Sequence, residues 1–136
     1  MPQPTDLRLG DDGWCFACGP HNPHGLHLTD FHFEDDQYVC HFTPQRHHQG
    51  WVGLTHGGIV AALLDEIMTR MLWEQGVNAV TGELNVRYRQ PAATSQPLTV
   101  RGWVKHQHGK LITTQAQAEL ADGAVVAEAQ GKFIQT

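Results

Sequence analysis

The chain has 136 residues, three cysteines and a formal net charge of −5 with histidine neutral. That length fits one domain, able to bury about two-thirds of its unfolded surface without staples. The acidic balance argues against nucleic acid as the main partner, and no apolar run reaches the roughly 18 residues of a membrane span. The odd cysteine count and a polar start, MPQPTDLRLGDDG, without an apolar signal core, point to reduced thiols and a cytoplasmic setting.

Met1 to about Gly13 holds two prolines and no periodicity and is expected as a flexible tail. WCFACGPHNPHGLHL follows, with turn residues Pro20, Asn22, Pro23 and Gly25, and is expected as an ordered loop. Its Cys15 and Cys18 form a CxxC with His21, His24 and His27 beyond. A structural zinc normally takes four ligands, and no second CxxC exists, so packed thiols are the expectation and no metal is assigned. Gly25–Phe33 and Gln37–Thr43 then read as two strands around the turn Glu34-Asp35-Asp36. PQRHHQGWVGL is a loop in which His47 and His48 are expected in solvent and Gln49 within reach of a ligand at the next element.

The segment Thr55–Trp73 carries the argument. Ile59, Val60, Leu63, Leu64, Ile67, Met71 and Leu72 recur at three- and four-residue intervals, the pattern of a helix with one buried face. Gly57 and Gly58 stand at its start, where backbone N–H groups lack partners and carry the positive end of the dipole. Such a tip suits a carbonyl oxygen gaining negative charge. An amphipathic core helix alone would explain the apolar spacing but not Asp65 and Glu66, since carboxylates are seldom enclosed without a partner. From Gly57 to Asp65 is about 12 Å of helix, whereas one scissile carbonyl needs its oxyanion donor and its base each within roughly 3 Å. Cooperation between them therefore calls for a second copy of the chain.

Gln75-Gly76 ends the helix. In Thr81–Arg89, Gly82, Leu84, Val86 and Tyr88 are expected on one face and Thr81, Glu83, Asn85, Arg87 and Arg89 on the other, with Pro91 closing the ladder. A second strand holds Leu98, Val100, Gly102 and Val104 on one face. His106–Lys110 reads as a hairpin turn, Leu111–Leu120 as a third strand, Asp122-Gly123 as a tight turn and Ala124–Ile134 as a fourth strand. Without βαβ alternation, the order gives an α+β fold: an antiparallel sheet curled around one long central helix, with edges open to a second copy.

THGGIVAALLDE, AVTGELNVRYRQP, VKHQHGKLI and the leading CFACGPHNPHGL together resemble the hotdog-fold acyl-CoA thioesterases of the phenylacetate-degradation type, within the 4-hydroxybenzoyl-CoA thioesterase superfamily. The resemblance runs from Trp14 to Ile134 and implies one hotdog domain over residues 14–136. It also implies a homodimer or homotetramer with sites between subunits, and hydrolysis of an acyl- or aryl-CoA to acid and coenzyme A with no metal or cofactor. By the same resemblance the Gly57 amide polarises the thioester carbonyl and Asp65 is nucleophile or general base. His56 orients the loop or carbonyl, Thr81 helps hold the attacking water, and Gln49 matches an entry-loop glutamine. Some relatives have asparagine where this chain has Gly50. Substrate-binding candidates are Gly58, Asn85, Arg89, His108, Gly109 and Lys110, with Trp51 as a pocket wall. Asp65 and Glu66 lie about 100° apart on a helix, so only one is expected to face the cleft; the resemblance, with its acid nine residues after the histidine, implies Asp65.

Three rivals remain at this level. One is a non-catalytic acyl-CoA-binding sensor on the same fold. Another is a hotdog hydratase, disfavoured because no histidine follows Asp65 before His106. The last is a metal-handling protein using the histidines and the CxxC.

Overall fold

The structure is a computed structural model and describes residues 7–136. Six strands, β1 (Thr29–Glu34), β2 (Gln37–Phe42), β3 (Ala79–Tyr88), β4 (Leu98–His108), β5 (Leu111–Glu119) and β6 (Val125–Gln135), form one sheet. Its order is β1-β2-β4-β5-β6-β3, and every adjacent pair is antiparallel. One α-helix among the described residues, α1 (Gly57–Glu74), packs against β2 through β6. This is the hotdog arrangement expected from the sequence.

Periodicity explains the packing. Leu63, Leu64, Ile67, Met68 and Met71 are fully buried on one side of α1, and small residues of β5 and β6, Ala116, Ala118, Ala127 and Ala129, share their cluster. Short side chains let the helix lie close to the sheet, where dispersion contacts are densest. No described helix is long and apolar enough to cross a membrane.

Several boundaries shift for physical reasons. β1 begins at Thr29 rather than Gly25, because Leu26 and Leu28 donate their backbone N–H to Phe16 and Ala17 in the preceding loop (2.8 and 2.9 Å). β4 runs through His108, so the hairpin turn narrows to Gly109-Lys110, with Gly109 at φ +61°, a left-handed conformation that suits glycine. His48, expected in solvent, is 8% exposed. Its Nδ1 accepts from the Gln45 N–H at 2.9 Å, its ring packs on Phe42, and burial lowers its pKa. It holds a 3-10 turn, Arg46–His48, that the loop expectation lacked. Of the expected tail, residues 1–6 lie outside the described residues. Asp11 reaches Arg70 of α1 at 3.7 Å, and the Gly13 carbonyl accepts from the His21 N–H.

The most consequential departure is a bulge in β3. Thr81 pairs with Phe133 and Glu83 with Lys132, leaving Gly82 as the extra residue. A bulge reverses the phase of a strand, since side chains alternate with a period of two. Thr81, expected beside Asn85, therefore turns to the helix side with Leu84 and Val86, while Glu83 and Asn85 stay on the other face.

Candidate active site

The N-terminus of α1 is built from its own first residues and one strand. His56 is the N-cap, with φ −58° and ψ 132°, and its Nδ1 accepts from the Gly58 N–H at 2.8 Å. That cap satisfies one of the orphan donors of the first turn. The Gly57 N–H has no acceptor among the described residues. The two glycines are thus unequal: Gly58 spends its amide on His56, whereas Gly57 presents a free donor at the positive end of the dipole. Tyr88, which the sequence did not single out as functional, donates its hydroxyl to the Gly57 carbonyl at 2.7 Å and ties the helix tip to β3.

Around that tip the chain brings together Trp51, Thr55, Gly57, Tyr88 and Arg89, which border an open cavity of about 520 Å³. Trp51 is 84% exposed, and Arg89 is ion-paired with Glu128. Gln49 lies in the entry loop, where its Oε1 accepts from the Gly53 N–H at 3.2 Å. A side chain at Gly50 would press on His56, its Cβ falling 3.3 Å from the His56 Cα. The residue some relatives carry here would need His56 to give way.

Two turns along α1, Asp65 faces the edge strand. The Thr81 hydroxyl donates to Asp65 Oδ1 at 2.8 Å, a contact the Gly82 bulge makes possible. Burial raises the carboxyl pKa and the Thr81 bond opposes the rise. Such tension suits a group that must be ionised yet reactive. Glu66 points elsewhere. It is 9% exposed and lies under the N-terminal loop, with the Cys15 thiol 3.8 Å from Oε2. Only Asp65 is open to the β3 edge.

Asn85 is not brought to either group. It borders a polar depression of the outer sheet face with Arg87, Gln115, Gln117 and Gln130. His108, Gly109 and Lys110 lie at the far end of the sheet. Leu111 and Val80 both pair with Ile134, so the hairpin sits beside the start of β3. Tyr88 and Gly57 sit at its other end, roughly 25 Å away at about 3.3 Å per residue.

A family model of the Thioesterase superfamily matches residues 52–127, more than half of the chain, and the chain belongs to that family of thioester hydrolases. Over 93 residues it is 28% identical to acyl-coenzyme A thioesterase 13 of Homo sapiens, an alignment spanning 66% of each, just under two thirds of the relative's own length. A solved thioesterase superfamily protein superposes with a TM-score of 0.84 at 28% identity, covering 90% of this chain and 60% of that one. The PaaI protein of the E. coli phenylacetic acid degradation operon gives a TM-score of 0.74 at 22% identity, covering 80% and 83%, a likeness of fold.

Proposed function

We propose that the chain hydrolyses an acyl- or aryl-CoA thioester, with the Gly57 amide of one subunit and the Asp65 carboxylate of another acting on one carbonyl. The observation that carries this reading is the asymmetry of α1: a free amide at its tip and a half-buried carboxylate about 12 Å along the same helix, each resting on opposite ends of β3 through Tyr88 and Thr81. β3 ends the sheet order. A two-fold axis across its free edge, midway between Thr81 and Tyr88, carries the Gly57 end of one copy onto the Asp65 end of the other. The same operation brings the His108-Gly109-Lys110 hairpin of one copy toward the helix tip of its mate, where cations and a glycine turn suit coenzyme A phosphates.

In the reaction the Gly57 N–H, assisted by the helix dipole, stabilises the oxyanion that forms when the thioester carbonyl is attacked. Asp65, held by Thr81, either attacks the carbonyl itself, giving a mixed anhydride that water then cleaves to acid and free carboxylate, or takes the proton of an attacking water. The thiolate of coenzyme A leaves, and a thioester's weak resonance lets one donor and one carboxylate suffice. His56 fixes the donor's geometry by capping Gly58. The similarity to an acyl-coenzyme A thioesterase supports this substrate class.

The test is coenzyme A release from a panel of acyl- and aryl-CoAs, with wild type and Asp65→Asn in parallel. Activity equal in both would sink the assignment. Absence of turnover with retained binding would favour the sensor reading. The shared site has its own test. Co-refolded Asp65→Asn and Gly57→Pro chains, each inactive alone, should regain about a quarter of wild-type activity, because half the pairs are mixed and each has one intact site. No recovery in chains shown to mix places both groups in one subunit.

A further inference from the structure

The CxxC that the mechanism leaves unused has a third partner. Cys15 Sγ, Cys18 Sγ and a Glu66 carboxylate oxygen lie within 4.8 Å of one another, and Cys15 Sγ is 3.8 and 3.9 Å from the two Glu66 oxygens. The chain has no second cysteine pair to complete a metal site. The fold supplies a donor of another type from α1, 48 residues beyond Cys18 in the chain. We propose that Cys15, Cys18 and Glu66 form a binding site for one thiophilic divalent cation, zinc in the first instance, with its fourth position open to a cavity.

Geometry supports it. Zinc bonds of about 2.3 Å to sulfur and 2.0–2.2 Å to oxygen make a tetrahedron with edges of roughly 3.5–3.8 Å, close to the separations seen between Cys15 and Glu66. The loop is shaped for this grouping. Gly19 donates its N–H to the Cys15 carbonyl at 2.8 Å, and a Cβ at Gly19 would lie 2.4 Å from the Cys15 nitrogen. Only glycine closes a turn this tight and brings both thiols to one side.

Charge supports it as well. Glu66 is 9% exposed, and its hydrogen-bond partners are thiols at the long limit, weak company for an enclosed carboxylate. Two thiolates and a carboxylate carry −3. A divalent cation offsets two of those charges, and the Arg70 guanidinium, which also pairs with Glu74 and Asp11, donates its Nη1 to Cys18 Sγ at 3.5 Å. Donation to a ligating sulfur is the usual outer support of a thiolate ligand. Binding releases the thiol protons to solvent. The open position faces a cavity of about 410 Å³ bordered by Asp11, Asp12, Trp14 and Trp73, which admits a water or a carboxylate as fourth ligand. The cation would fasten the N-terminal loop to α1 one residue from Asp65.

The test uses the full chain, reduced and chelator-treated, titrated with Co(II) and with Zn(II) against a chromophoric chelator. The expected result is one equivalent of Zn(II) and a thiolate-to-Co(II) charge-transfer band. Cys15→Ser and Cys18→Ser each lose the band, and Glu66→Gln weakens binding by more than about tenfold, since loss of even outer partners typically costs 10–100-fold. A Co(II) complex without the thiolate band overturns the proposal. So does uptake that persists unchanged in the Cys15→Ser/Cys18→Ser double variant, which would mark histidine binding. If the variants fail to fold, alkylation of wild type decides: Zn(II) must protect Cys15 and Cys18 together, and equal labelling with and without metal refutes the site. None of these readouts depends on thioesterase activity.

Discussion

Asp65 and Glu66 are neighbours on one helix with opposite situations. Asp65 is half-buried at a free sheet edge with one hydroxyl donor; Glu66 lies against the Cys15 thiol in the wall of the cavity beneath the N-terminal loop. Burial raises the pKa of both, so burial alone does not separate them. Surroundings do: Asp65 is held to β3 by the Thr81 hydroxyl, whereas Glu66 faces the thiols of the N-terminal loop.

The largest expected effect breaks that pair apart. Asp65→Asn should lower kcat by about 10²–10⁴-fold, the usual worth of a positioned base, whereas Glu66→Gln should leave kcat within about tenfold, less than the low end of that range. Stability separates them again. A carboxyl whose folded pKa is raised contributes stability that is complete below its unfolded pKa and lost as pH rises through the folded value. At neutral pH Asp65 is therefore a cost to the fold, and Asp65→Asn should melt higher than wild type while being inactive. A melting point lowered by Asp65→Asn would contradict the burial argument.

Gly57 and Gly58 form a second such pair. Gly57→Pro deletes the free N–H at the first helical position, where proline is tolerated. His56, at φ −58° and ψ 132°, already has the extended backbone that a following proline requires. Folding should survive while kcat falls about 10²–10³-fold, the typical loss of one oxyanion donor. Circular dichroism and coenzyme A release check the two halves.

Most of the sheet and all of α1 were legible, because apolar periods of two and near 3.6 survive whatever the chain packs against. What escaped depends on partners distant in sequence. The Gly82 bulge exists only through the register of β3 on β6, so alternation placed Thr81 on Asn85's face. Glu66's enclosure requires the Cys15–Cys18 loop to fold over α1, and His48's burial requires the Gln45 amide. Tyr88 could have been found: a tyrosine ending a strand, in a chain whose helix opens on glycine, is a candidate to brace that opening. Its removal tests the brace. Tyr88→Phe loses one bond to the Gly57 carbonyl, about 0.5–1.5 kcal/mol for an average hydrogen bond and at the low end here because Tyr88 is 52% exposed. A few-fold drop in kcat with a small fall in melting temperature is expected.

The smallest effect is the sharpest on Asp65 itself. Thr81 donates to the carboxylate and thereby favours its charged form, opposing the upward push of burial. Thr81→Val keeps the β-branched shape but withdraws that donor, so the Asp65 pKa must rise further. A base has to be ionised, and kcat falls as pH drops through its pKa. The acid limb of the kcat–pH profile should therefore be displaced upward from an ordinary aspartate in wild type and move to still higher pH in Thr81→Val. Glu66→Gln, remote from that hydroxyl and neutral in its altered form, should not move the limb upward. A Thr81→Val profile shifted to lower pH would mean that the titrating group is not the one Thr81 holds, and the functional contrast between Asp65 and Glu66 would have to be drawn again.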